Sequence, residues 1–114
     1  MGIGPFSEVP LVPFAYVRVN PDGTVYQDSN SGLTVQKTAP STYAIDIPDN
    51  LAVSSKELYP VVTIFGNFLV PVIVQASSDD QVTRLLIIPS LPSTGQPVDA
   101  AFAVILFKTV LPPA

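Results

Sequence analysis

The chain contains no cysteine and no histidine. Without cysteine there is no disulfide staple and no thiol nucleophile. Without histidine, Ser-His-Asp and Cys-His devices are excluded, along with nearly every zinc, copper or iron site. Charge is scarce too. Only 12% of residues are charged, against about 25% in an ordinary soluble domain. Arg18, Lys37, Lys56, Arg84 and Lys108 are the only basic residues, and they are scattered. Neutralising phosphates needs a cluster, so neither nucleic acid nor an anionic membrane surface is an expected partner. The opening MGIGPFSEVPLVPF carries Glu8 and no base, which does not match a signal peptide.

Carboxylates remain as the one acid/base resource, and most of the nine stand beside Gly, Pro, Ser or Asn in turn contexts. Only Asp46 falls in a strand pattern, on the expected solvent face with Ala44. No catalytic residue, cofactor site or metal site is expected, and the chain reads as a non-enzyme. Asn20, Asp22, Gly23 and Asp28 loosely resemble a calcium loop. Arg18 stands where an acid is required, however, and Pro21 removes a backbone contact, so a hairpin turn is the better reading. Asp79 and Asp80 are read as a solvated turn.

Proline dominates what is there: 13 residues in 114, against an average near 5%. It breaks helices and is excluded from central strand positions. No capped run shows helical periodicity. Short runs rich in Val, Ile, Thr, Tyr and Phe recur between turn signals instead, at 14–20, 24–27, 33–37, 43–47, 59–65, 68–75, 82–88 and 101–110. In the first, Ala15, Val17 and Val19 share one face and Phe14, Tyr16 and Arg18 the other. Asn20-Pro21-Asp22-Gly23 is a tight turn. Residues 48–56 form a longer connection with room for one helical turn. Pro71 marks its strand as an edge or a bulge. The apolar run from Leu58 to Ser78 is long enough to cross a bilayer, but Pro60, Gly66, Asn67 and Pro71 break it into strands. The expected fold is all-β: a single antiparallel β-sandwich of about eight strands, jelly-roll or immunoglobulin-like.

The ends differ from this body. Residues 1–13 read as an extended N-terminal arm, 14–110 as the sandwich and 111–114 as a short C-terminal tail. Ile3, Phe6, Val9, Leu11 and Val12 are apolar for a solvated segment, and Pro5, Pro10 and Pro13 favour extended backbone. The expectation is an arm that lies on a neighbouring subunit with those five residues as contacts. Tyr16, Tyr26 and Tyr43, with the Ser77–Asp80 loop, are alternative glycan contacts, because tyrosine presents both a ring and a hydroxyl.

Four segments carry a resemblance: AYVRVNPDGTV (15–25), SGLTVQKTAPSTYAIDI (31–47), YPVVTI (59–64) and VDAAFAVILFK (98–108). In this order they resemble the β-sandwich modules of tailed-bacteriophage virion proteins. Tyr43-Ala44-Ile45 fits the family's Gly-x-Tyr-x-(Ile/Val) strand, and Asp99 to Val104 fits its closing strand. Pro40-Ser41-Thr42 departs from the small Gly lead-in. A free-standing module of this kind resembles phage capsid decoration (cement) proteins more than a segment of a long fibre. The resemblance implies a homotrimer on the outer capsid surface, bridging major capsid proteins and assembled in the host cytoplasm. The alternative it implies is a receptor- or glycan-binding module of a tail fibre or tail tip.

Overall fold

The computed structural model describes residues 10–66 and 68–109. Eight strands follow in chain order: β1 (Leu11–Val19), β2 (Val25–Asp28), β3 (Thr34–Ala39), β4 (Thr42–Asp46), β5 (Leu58–Phe65), β6 (Val70–Ser78), β7 (Gln81–Ser90) and β8 (Ala101–Thr109). They form two antiparallel four-stranded sheets. Sheet A has the order β2-β1-β8-β5 and sheet B the order β3-β4-β7-β6. The fold is a β-sandwich. A single 3₁₀ turn at Asp49–Leu51 fills the long connection before β5. No helix among the described residues is long and apolar enough to cross a membrane.

The core follows from alternation. Ala15, Val17 and Val19 of β1 and Phe102, Val104 and Leu106 of β8 point inward from sheet A. Tyr43 and Ile45 of β4 and Leu85 and Ile87 of β7 meet them from sheet B. Tyr43 and Phe102 pack edge to face across the two sheets, ring centroids 5.0 Å apart at 67°. The Tyr43 hydroxyl donates to the Pro21 carbonyl at 2.6 Å, so the buried phenol also pins the β1–β2 turn. That turn closes with Gly23 N–H on the Asn20 carbonyl, and Gly23 sits at φ +92°, a conformation an L side chain resists. A Cβ there would also stand 2.9 Å from that of Lys37.

The sequence reading needs several changes of boundary. Ser77 and Ser78, read as loop with Asp79 and Asp80, close β6, and Phe68, read as the start of that strand, precedes it. Leu11, Val12 and Pro13 are not arm but the start of β1, paired with Thr109, Lys108 and Phe107 of β8. Pro13 is tolerated because β2 covers β1 only from Val17 onward, leaving its other side unpaired there. A bulge between Pro13 and Ala15 breaks the alternation, so Phe14 turns partly onto the core instead of joining Tyr16 and Arg18. Likewise β7 runs through Pro89 to Ser90, because β4 has already ended beside it. The Pro89 carbonyl accepts from Val98 N–H at 2.8 Å on that side. Pro60 and Pro71 both lie on edge strands, β5 and β6.

Two ion pairs support the sheets. On the outer face of sheet B, Arg84 Nε meets Asp46 Oδ1 at 2.6 Å across the β4–β7 register. At the turn end, Asp99 accepts from Lys37 Nζ at 2.8 Å and from the Ser41 hydroxyl at 2.9 Å. The Lys37 ammonium first, then Ser41, hold the Asp99 carboxyl below the usual range, and Asp99 raises Lys37 in return. The Thr24 hydroxyl and amide lower Asp22 in the same way. Burial pushes the Tyr43 phenol up. Lys37 and Asp99 are 25% and 47% exposed, so solvent screens this pair and it tunes stability more than it creates it.

Two outcomes are expected. Phe102→Ala removes the ring facing Tyr43 and should cost about 3–5 kcal/mol, a large part of a typical domain stability, whereas Tyr43→Phe should cost only about 0.5–1.5. Urea unfolding of both variants checks the ranking. The second outcome concerns pH. Asp99 and Asp22 have depressed folded values, so their contribution is full above about pH 5 and is lost as pH falls through those values. Lys37 and Tyr43 have raised values, so theirs is full below about pH 9 and is lost on further alkalinisation. Thermal midpoints should be flat between those limits and fall outside them. Asp99→Asn should make the acid limb shallower.

Candidate interaction surfaces

The two sides of the sandwich differ. On one side the edges are β2 and β3, short or polar (VYQD and TVQKTA), with Lys37 among them. Such edges resist pairing with other chains. On the other side the edges are β5 and β6, longer and mainly apolar (LYPVVTIF and VPVIVQASS). Strand β6 contains no charge, and Val70, Val72, Ile73 and Val74 are all exposed, from 36% to 45%. Residues of both its faces are exposed because β5 scarcely covers it. Val72 and Val74 pair with Ile88 and Leu86 of β7, so the apolar band continues over the outer face of sheet B. Pro60 and Pro71 interrupt the edge N–H rows, which favours side-chain burial over a continuous added ladder.

The connection from β5 to β6 carries a second apolar feature. Phe68 is 88% exposed and held at φ +61°. A bulky residue in the left-handed region costs energy, and strain of this kind concentrates at functional loops. Opposite it in sequence logic, the β6–β7 turn places Asp79 and Asp80 at φ +51° and +65°, the conformation of a two-residue hairpin.

A third surface lies on the outer face of sheet A. Register places Tyr16 beside Ile105 and Val61, and Gln27 beside Arg18, Ala103 and Thr63. Tyr16, Arg18, Gln27, Ala103 and Ile105, together with Pro13 and Phe65, border a groove of about 450 Å³ with mainly apolar walls. The Arg18 guanidinium lies 4.2 Å from the centroid of the Phe65 ring and 5.1 Å from that of Tyr26. Cation–π contact holds the head group while leaving its N–H edges for an acceptor.

The residues singled out from sequence divide accordingly. Tyr16 and Tyr26 share the outer face of sheet A, 41% and 65% exposed. Tyr43 is fully buried and committed to Phe102 and Pro21, so it is no glycan contact; alternation puts it on the inner face with Ile45. Leu11 and Val12 are exposed at 50% and 39% but belong to the sheet. Ile3, Phe6 and Val9 lie outside the described residues. Sequence reasoning missed Arg18, Phe65, Phe68, Val72 and Val74 as surface groups. The doubled aromatic around Gly66-Asn67 was the available signal for Phe65 and Phe68.

Among the described residues no cluster of three or more His, Cys, Asp or Glu side chains could hold a metal ion. No buried side-chain nitrogen or oxygen among them lacks a hydrogen-bond partner. What the described surface offers is apolar area with isolated charges. No family model, no curated protein and no solved structure matches the chain.

Proposed function

We propose that the chain is a non-enzymatic virion structural protein of a tailed bacteriophage, a capsid decoration (cement) subunit. In this reading it associates as a trimer on the outer shell and bridges major capsid proteins by surface burial, without chemistry. The observation that carries the assembly role is the uncharged, exposed β6 edge and its continuation across Val72, Val74, Leu86 and Ile88. Contiguous apolar surface of this kind marks interaction sites in soluble proteins. The low charge of the whole chain agrees, since a subunit buried against neighbours needs fewer solubilising groups than a monomer. The virion context rests on the ordered segments from Ala15 to Lys108 that resemble phage modules. Closed rotational symmetry suits a part that must not polymerise.

A second reading, a glycan-binding module of a tail fibre or tail tip, draws on one observation: Tyr16, Tyr26, Arg18 and Gln27 gather on one exposed face. Aromatic faces with nearby donors suit sugar recognition. A glycan array separates the two readings, because saturable sugar binding is required by the second and absent from the first.

The direct test of the first is adsorption of the purified chain to expanded capsids that lack decoration. Saturable binding at a fixed ratio to capsid subunits, with shells that withstand more heat, is the expected result. A protein that remains monomeric at high concentration and does not adsorb overturns it. The surface itself has a sharper expectation. Val72→Lys with Val74→Lys should weaken association by roughly 100-fold or more, since each valine contributes about 1.5 kcal/mol or more when buried. The subunit's own melting should hardly change, because both side chains are exposed. Light scattering across a dilution series reads the first quantity and calorimetry the second.

A further inference from the structure

The groove on sheet A and the segment preceding β1 are complementary. Arg18 is the one charged side chain bordering the groove, and among the described residues no carboxylate lies within salt-bridge distance of it. Residues 1–9, MGIGPFSEV, contain one charged side chain, Glu8, flanked by the apolar Phe6 and Val9. A guanidinium held between two rings still needs acceptors for its N–H groups, and a carboxylate satisfies them two at a time. The groove walls beside it, Tyr16, Ile105, Ala103 and Phe65, suit side chains of the size of Phe and Val.

Chain length decides which copy supplies the segment. Glu8 stands three residues before Leu11, and three residues span at most about 11 Å. Arg18 lies six register steps along β1 from Leu11 once the bulge at Pro13–Ala15 is allowed for, roughly 20 Å away at ~3.3 Å per step. A segment folded back over its own sheet therefore carries Glu8 only about half way. The Arg18 head leans further off still, toward Phe65, which pairs with Ala101, one row beyond the Ala103 opposite Arg18. Glu8 of the same chain cannot reach it.

We propose that residues 1–9 of one copy occupy the sheet A groove of a second copy, with the Glu8 carboxylate accepting from Arg18 and Phe6 and Val9 covering the apolar walls. The inference rests on the assembly part of the proposed function and gives it a contact: an arm exchanged between subunits. Leu11 pairs with Thr109 at the end of the β1–β8 ladder, so residues 1–9 precede the rim of the sheet. Passing an arm head to tail is compatible with a closed ring, in which every groove is filled.

The absence of native cysteine gives a clean test in the full-length chain. Gln27 lies opposite Arg18 in the groove, and Gln36 pairs with Ala44 on sheet B, away from it. Under mild oxidation the Glu8→Cys/Gln27→Cys variant should form interchain disulfides and run as covalent oligomers on a non-reducing gel. The Glu8→Cys/Gln36→Cys control should not. In parallel, Arg18→Glu should weaken association by roughly tenfold or more, and adding Glu8→Arg should restore it. An intrachain disulfide, equal cross-linking in the control, or no rescue by the charge swap overturns the inference. So does saturable binding of a soluble glycan that Arg18→Glu abolishes, because a filled groove has no room for it. Assembly without the cross-link sinks the arm and leaves the capsid role standing. Cross-linked oligomers that fail to adsorb to capsids sink the capsid role and support the arm.

Discussion

The Tyr43 side chain ties the structure together. Its ring meets Phe102 across the two sheets, and its hydroxyl reaches the Pro21 carbonyl in the β1–β2 turn. A buried phenol must find such a partner, since an unpaired hydroxyl in a core costs energy. Because the partner lies in a turn, the contact that holds the sheets together also sets how β2 lies against β1. That placement brings Tyr26 and Gln27 beside Arg18 and so shapes the sheet A groove. Lys37 strengthens the same corner by donating to Pro21 as well as to Asp99. One end of the sandwich is thereby locked by side chains, while the β5 and β6 edges are left to whatever covers them.

This division explains the composition. A sandwich of this size needs apolar residues on two inner faces only, yet the chain carries them on the outer faces as well. Tyr16, Val61 and Ile105 form a row on sheet A, and Val72, Val74, Leu86 and Ile88 a patch on sheet B. Neither set contributes to the core, so their selection points outward. The polar edges β2 and β3 show that the chain uses charge and short strands where pairing is unwanted. Against that, the uncharged β6 is a specific feature and not a general lack of polar residues.

Much of the fold was legible because period-2 alternation and turn chemistry act locally. Ala15, Val17 and Val19 declared the inner face of β1, and Asn20-Pro21-Asp22-Gly23 declared its turn. Pro71 marked its strand as an edge or a bulge, and it is an edge; the connection after Pro48 had room for a helical turn, and a 3₁₀ turn fills it. The failures were non-local. Pro13 and Pro89 looked like strand breakers, but each lies where a neighbouring strand is absent on one side, and a short sequence window does not show that. Tyr43 looked available to a ligand because alternation does not say which face is inner. The surfaces proposed for assembly were hardest to see. Burial of Val72 in a core and its exposure at an edge leave the same letters in the chain; only the order β3-β4-β7-β6 reveals which applies.

The central claim is that the β6 edge is covered by a partner in the working state. Amide hydrogen exchange of the full-length protein, followed across a dilution series, addresses it most directly. Edge amides of an uncovered strand exchange quickly, and covering them slows exchange. The account predicts that the β6 amides between Val72 and Ser78 that face away from β7 are protected at high concentration and lose protection on dilution, while β8 amides stay protected throughout. Rapid exchange of those β6 amides at every concentration, with β8 equally slow, would contradict it.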